Sequence, residues 1–409
     1  MSAVTIRYSS FIMFICAVGS QLTDVSIGPL KLWEFLAISI FAFSIRSINR
    51  KYSPFIIFFT LLLILSFIAT YVSDVKYYGY GGLKEKYIIS VVRFVELMLC
   101  ILTAMTVSNA ARKYNADPMN LITKFVKYNF YLTIIVLILF IADVLLNTKF
   151  VSYGLKGRLS GFYVEGGPYG LFISTLIFLE LITNKRKLYL IVFGIALVLA
   201  QSKAAMISLI IFIMINFMLK NKFLASFVIP RNFFRFSFFL IISIVITSYT
   251  TYKVAYNYIE DIQNSSYLLD TRSNDTSFVM GRIAAYHIGP NIIMDKPIIG
   301  VGLGGYSLVR NNPKYRQDFP KVERWDLTGL GGLYNLLVEN GILGLLGFLI
   351  ITFKFYKLDT LGLVFLMLFI VPFALGAQLY MIYPWIYLGL YTSLVYYKKK
   401  QQNMEIKSN

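Results

Sequence analysis

The sequence predicts an all-α, polytopic integral membrane protein. It reads as one domain over residues 1–409, with about twelve transmembrane helices and a large extracytoplasmic loop between the ninth and tenth. Three observations predict this. First, 57% of the residues are hydrophobic, only 14% are charged and the mean hydropathy is +0.67, whereas soluble domains carry about 25% charged residues. Second, apolar runs recur along the whole chain and suit a lipid layer better than one very large core. Third, the basic residues gather in the short segments between those runs. The net charge of +19 is therefore mostly topological. A nucleic-acid-binding role, which needs a continuous basic stripe, is excluded.

In order, the apolar spans are 8–23, 28–45, 54–72, 87–107, 129–146, 169–182, 188–200, 204–219, 236–252, 333–353, 358–376 and 379–396. The first reads as an anchor, because no small-x-small cleavage site follows it. The stretch 188–219 is divided because Gln201-Ser202-Lys203 interrupts it and basic clusters flank it, Lys185-Arg186-Lys187 before and Lys220 and Lys222 after. Basic residues stay preferentially on the cytoplasmic side. Two basic flanks on one side require a down-and-back pair of helices with Lys203 at the far surface. Cys16 and Cys100 fall in apolar runs and read as buried small hydrophobes, with neither a metal pattern nor a disulfide framework.

Charge sets the orientation. With the N-terminus inside, the cytoplasmic segments hold 21 of the 39 basic residues, while the long segment 253–332 is nearly balanced, with nine basic and eight acidic. That segment is expected to face outward as an ordered cap lying partly on the membrane. A connection of this length is functional or disordered. Within it, "MGRIAAYHIGPNIIMDKPIIGVGLGGY" (280–306) combines Arg282, the chain's one histidine and a glycine-rich run. Gly300, Gly302, Gly304 and Gly305 lack the Lys-Ser/Thr pair of a nucleotide loop, so close packing is their better account. Two other outward segments carry unusual charges: "KGRLSGFYVEGGPYG" (156–170) holds Arg158 and Glu165, and "QSKAA" holds Lys203. Three fixed cations, Arg158, Lys203 and Arg282, point to an anionic, phosphoryl-bearing ligand. Snorkelling of these side chains to lipid headgroups is the competing account.

At this point the sequence resembles the bacterial O-antigen polymerase and O-antigen ligase family of membrane proteins. The resemblance lies in "SKAA", where the family usually has Ser-Arg-Gly-Ala, in "GRIAAY…DKPIIGVGLGGY" (281–306), and in "LYNLLVENGILGLLG" (333–347). It is specific across roughly 200–350 and architectural elsewhere. Two departures stand out. The ligase branch carries a functional histidine near where Leu330 and Gly331 stand here, which favours a polymerase. Lys203 replaces an arginine, keeping the charge but losing the bidentate fork.

The resemblance implies an enzyme of the bacterial cell inner membrane, with both termini cytoplasmic and a periplasmic site. It would be a glycosyltransferase that uses no cofactor, nucleotide or metal. Its partners would be undecaprenyl-diphosphate-linked oligosaccharides, membrane lipids and a chain-length regulator protein. A growing glycan would pass from undecaprenyl diphosphate to the terminal sugar of a lipid-linked repeat unit, with ligase or flippase activity as the alternatives. Arg282, Glu165 and Arg158 are the catalytic candidates. Lys203, Tyr286, His287, Arg310, Trp325 and Glu339 are the substrate-binding ones. The general base is open among Glu165, Glu339, Asp275 and His287, with Glu165 preferred for sharing a segment with Arg158. Glu339 is an intramembrane acid, a functional hint in itself. Tyr286 and Trp325 can stack on sugar faces or sit at the interface. A transporter is disfavoured because the two halves of the chain show no repeat and the charges crowd one surface.

Overall fold

The computed structural model describes residues 3–28, 30–42, 49–114, 116–153, 157–220, 278–323, 325, 328–329, 331–357 and 359–408. The expected span 236–252, residues 253–277 of the outward segment and the acid Asp275 lie outside the described residues. In chain order the helices are α1 (Ala3–Gln21), α2 (Leu32–Ala42), α3 (Ser53–Val72), α4 (Ile88–Tyr114), α5 (Pro118–Leu146), α6 (Gly166–Ile182), α7 (Lys187–Ala200) and α8 (Lys203–Lys220). After a π-helical turn (Phe278–Ile283) come α9 (Ala284–Asp295), α10 (Tyr306–Val309), α11 (Pro313–Arg316), α12 (Gly332–Phe355), α13 (Thr360–Ala374) and α14 (Ile382–Ser408). Two short antiparallel hairpins pair Ser26–Ile27 with Leu30–Lys31 and Ser152–Tyr153 with Arg158–Leu159.

The helix ends follow local chemistry. Asp117 caps α5 by accepting the Met119 N–H, Pro118 occupies the first turn, and Asn147 ends the helix in the left-handed region at φ 52°. Asp359 caps α13 through the Gly362 N–H.

The expected count of about twelve transmembrane helices is not met. Among the described residues, four helices are long and apolar enough to cross a membrane: Arg50–Val72, Ile88–Arg112, Pro118–Leu146 and Gly332–Phe355. The reason is length. A hydrocarbon core of about 30 Å needs roughly 20 residues at 1.5 Å each. The apolar helices Tyr8–Gln21, Gly166–Ile182, Lys187–Ala200, Lys203–Phe217 and Thr360–Ala374 have 10–17 residues. Part of their hydropathy serves burial inside the protein: α6 is buried on nearly all sides from Gly166 to Glu180. The last helix starts apolar but runs on into Lys398–Lys400.

The main core is helical and aromatic. The Trp385 ring of α14 lies 5.7 Å from Phe55 of α3 and 5.1 Å from Phe369 of α13. α6 lies against both α7 and α8, and the contacts give their directions. The start of α7 meets the end of α6, where Arg186 bonds Glu180 at 2.7 Å, and Ala200 meets Gly166. α7 is therefore antiparallel to α6. On the other side Ser202 meets Gly170, Ser208 meets Ser174 at 2.6 Å and Phe212 stacks on Phe178, so α8 runs parallel to α6. The down-and-back pair expected for 188–219 is present, turning at Gln201 with φ 49°.

A second apolar cluster is built within 283–322 by Ile288, Ile292, Tyr306, Val309, Tyr315 and Phe319, joined by Val75 and Val338. The apolar piece "IAAYHIGPNIIM" thus buries its Ile288 and Ile292 in protein. The glycine-rich run leaves helical geometry yet is enclosed. Gly300, Gly302 and Gly304 all take positive φ, and a Cβ at Gly300 would lie 2.4 Å from the Glu339 carbonyl. Only glycine fits there.

Candidate functional site

The arrangement starts at the turn between α7 and α8. Ser202 accepts the Ala205 N–H and donates to the Gly167 carbonyl at 3.2 Å, which caps α8 and ties its start to the start of α6. The glycines of "EGGPYG" allow this approach. A Cβ at Gly166 would sit 2.8 Å from the Ala200 oxygen, and one at Gly170 would sit 2.7 Å from Ser202 Cβ. Small residues one turn apart let helices touch backbone to backbone. The N-termini of α6 and α8 therefore lie side by side. Each presents unsatisfied N–H groups and the positive end of a helix dipole. Lys203, exposed, is the first residue of α8.

Arg282 reaches the same place from the π-helical turn. Its guanidinium bonds Glu165 at 2.9 Å, and the side chains are 45% and 24% exposed, so the pair is open to solvent. A Cβ on Gly167 would come within 2.9 Å of the Arg282 Nη2, which places the guanidinium over the first turn of α6. Arg158 is placed differently. Its Nη2 donates to the Ala200 and Gln201 carbonyls at 3.3 and 3.2 Å, and so it braces the turn that carries Lys203. The structure thus gathers four sequence candidates, Arg158, Glu165, Lys203 and Arg282, in one neighbourhood. An anion there would meet cationic side chains and two helix N-termini.

Tyr286, one turn beyond Arg282, is 47% exposed and stacks on Tyr334 with ring centroids 5.6 Å apart. The remaining candidates sit elsewhere. His287 packs against Phe319 at 5.3 Å, and burial holds its pKa below the ordinary histidine value. Arg310 is fully buried, beside the Tyr306 ring. Trp325 packs edge-on against Tyr80, in the segment before α4, at 5.3 Å, with Lys84 over its ring.

Glu339 is 6% exposed, and its carboxylate accepts the Gly304 and Tyr306 N–H groups at 2.9 and 3.4 Å and the Asn335 amide at 3.2 Å. Its own carbonyl accepts the Gly302 N–H. Gly341, at φ 63°, breaks α12 just after it, and Ile342 and Leu343 donate to Pro297 and Ile298. Glu339 therefore organises the enclosed glycine-rich segment.

Reasoning from sequence missed two features. One is the N-terminus of α6, whose only signal was the Gly166-Gly167 pair after Glu165. The other is a polar cluster between the hairpin before α2, α4 and the segment joining α13 to α14. Arg93 bonds Glu96 at 2.6 Å, and Arg93 and Lys31 both lie over the Tyr380 ring, at 4.2 and 4.6 Å. Its signal was a charged i, i+3 pair inside an apolar span. Among the described residues no group of three or more His, Cys, Asp or Glu side chains could hold a metal ion.

No curated protein matches the sequence. Residues 188–349, a stretch that holds Lys203, Arg282, Tyr286 and Glu339, match the family model described as O-Antigen ligase.

Proposed function

We propose that the chain transfers a glycan from a polyprenyl diphosphate carrier to a sugar hydroxyl, with Arg282 holding the leaving diphosphate. The match of residues 188–349 to the O-Antigen ligase family model supports a role in lipid-linked glycan and O-antigen biosynthesis at the membrane. The observation that carries the finer reading is the meeting of Arg282, the α6 N-terminus and the turn bearing Lys203. Fixed cations and backbone dipoles aimed at a leaving group stabilise charge as it develops and need no reorganisation in the reaction.

In this mechanism the diphosphate competes with Glu165 for Arg282. Its greater charge and its paired oxygens suit the guanidinium fork better than one carboxylate oxygen does. Glu165, released, takes the proton of the acceptor hydroxyl. The hydroxyl oxygen bonds the anomeric carbon, the carbon–oxygen bond to the diphosphate breaks, and its electron pair stays on the diphosphate. Arg158 acts through the turn it braces, and Tyr286 offers an aromatic face to a sugar. The site would face the periplasm, with residues 253–332 outward.

The acceptor distinguishes two readings. The family match favours ligase-type transfer, which attaches a finished glycan to a surface lipid. A polymerase is favoured by one observation: neither position 330 nor 331 is histidine, and the one histidine packs on Phe319. Deleting the gene separates them on a gel of surface glycan. Full-length chains left unattached mean ligase, and single attached repeat units mean polymerase. Normal glycan would refute both. A K203C variant labelled by an impermeant thiol reagent in intact cells tests the outward placement, and protection of that position would overturn it.

A further inference from the structure

We infer that the cavity between α4 and α12 binds a monovalent metal cation, of the sodium or potassium class, on the carboxylate of Glu339 and the amide oxygens of Asn335 and Asn340. This site is separate from the glycan-transfer arrangement and does not depend on it. The cavity, about 20 Å³, is lined by Arg93, Asn335, Glu339, Asn340 and Tyr380 among others. That volume suffices for one water-sized occupant.

Two amides beside Glu339 are each held in one orientation. The Asn340 nitrogen donates to Ser66 Oγ at 3.3 Å, and that hydroxyl donates in turn to the Leu62 carbonyl. Ser66 also accepts the Leu303 N–H, so its only proton is committed and the amide cannot be turned round. The Asn335 nitrogen faces the Glu339 carboxylate, which fixes that amide too. Both amide oxygens are then left buried with no donor, and Asn340 is only 2% exposed. Orphaned acceptors of this kind are rare and mark a missing ligand or ion.

Charge gives the occupant its sign. Glu339, 6% exposed, makes no ion pair among the described residues. Arg93 lines the same cavity, but its guanidinium is held by Glu96. Around this cluster Arg93 and Lys31 stand against Asp24, Glu34, Glu96 and Glu339, two cations against four carboxylates. Arg93, shared with Glu96, compensates Glu339 only in part, and a buried charge left incompletely compensated is unfavourable. A small cation ligated by oxygens satisfies the carboxylate and both amides together. By holding Glu339 against Gly304 and Tyr306, it would also clamp the glycine-rich segment to α12.

The test uses the full-length protein purified in detergent. Binding of radiolabelled sodium, and of rubidium in place of potassium, is measured together with the thermal unfolding midpoint in NaCl, KCl and choline chloride at equal ionic strength. Saturable binding of either ion, with a midpoint higher in that salt than in choline, is the expected result. E339Q keeps the shape of the side chain and one acceptor oxygen, for Gly304 or for Tyr306, but removes the charge and should lose both effects. N340A, the second variant, should weaken binding about tenfold or more. No saturable binding and one midpoint in all three salts would overturn the proposal, leaving a protonated Glu339 beside a water. Unchanged binding in either variant would overturn it as well.

Discussion

Replacing Arg282 by alanine separates a clamp from an ordinary surface arginine. In the resting protein Arg282 and Glu165 form an exposed pair, 45% and 24% accessible. Such pairs contribute about 0–1 kcal/mol to stability. Arg282→Ala should therefore insert and fold normally, with an unfolding midpoint within a few degrees of the parent. Its effect on transfer is far larger. Losing one donor to developing negative charge costs about 2.7–4 kcal/mol, or roughly 100- to 1,000-fold in kcat. Arg282→Lys keeps the charge but not the fork, and the loss of one charge-assisted hydrogen bond, about 1.5–3 kcal/mol, predicts roughly 10- to 100-fold. The assay is purified enzyme in nanodiscs with lipid-linked repeat units, without added nucleotide, and transfer product is read on a gel. Near-normal transfer by the alanine variant would refute the clamp. A lysine variant as active as the parent would show that charge alone suffices and that the bidentate geometry is irrelevant.

Glu165→Gln should bind a short-chain polyprenyl diphosphate more tightly than the parent while transferring glycan more slowly, because the competitor for Arg282 and the base are removed together; weaker binding, measured by calorimetry, would contradict this. Gly170→Val should destabilise the fold by about 1–3 kcal/mol, since even a Cβ there meets Ser202 at 2.7 Å, and an unchanged unfolding midpoint would show that α6 and α8 pack more loosely. Glu339→Ala strands the Gly304 and Tyr306 N–H groups, each orphaned donor costing about 1–3 kcal/mol, so hydrogen exchange across 300–306 should accelerate; unaltered protection would remove Glu339 from its organising role. Acid should loosen the second core. Lys296 and Lys314 hold Asp74 down to about 2, and for Asp295 burial is outweighed by hydrogen bonds from Lys314 and Tyr315. Folded pKa values below the unfolded ones give stability that is present above pH 4 and lost as pH falls toward 2, so exchange across 284–322 should rise in that window; unchanged exchange there would remove these ion pairs from the account.

Much of the candidate site was legible because charge in an apolar chain is conspicuous. Arg158, Glu165, Lys203 and Arg282 stood out against their surroundings, and the break at Gln201-Ser202-Lys203 with its basic flanks foretold the antiparallel turn. What each charge does was not legible. Arg158 and Arg282 look alike in sequence, yet one is bound to carbonyl oxygens and the other faces solvent beside Glu165. Arg310 looked as available as either and is fully buried. Asn335 and Asn340 gave no sequence signal, since an asparagine in an apolar helix becomes informative only when the partners of its two ends are known.

By itself the sequence determined a mostly helical membrane protein, through composition, the recurrence of apolar runs and the placement of basic residues in short segments. It also determined the break at Gln201-Ser202-Lys203, since that polar triplet interrupts an apolar run with basic residues on both flanks. Tertiary structure decided which apolar runs are long enough to cross a membrane and which serve burial within protein, because hydropathy records transfer out of water and not the identity of the apolar medium. It also decided that the glycine-rich segment is enclosed. Glu339 and Ser66 supply its partners from α12 and α3, one about 30 residues beyond the segment and the other more than 200 before it. Pairings at such separations depend on how helices pack, and no local pattern of residues encodes them.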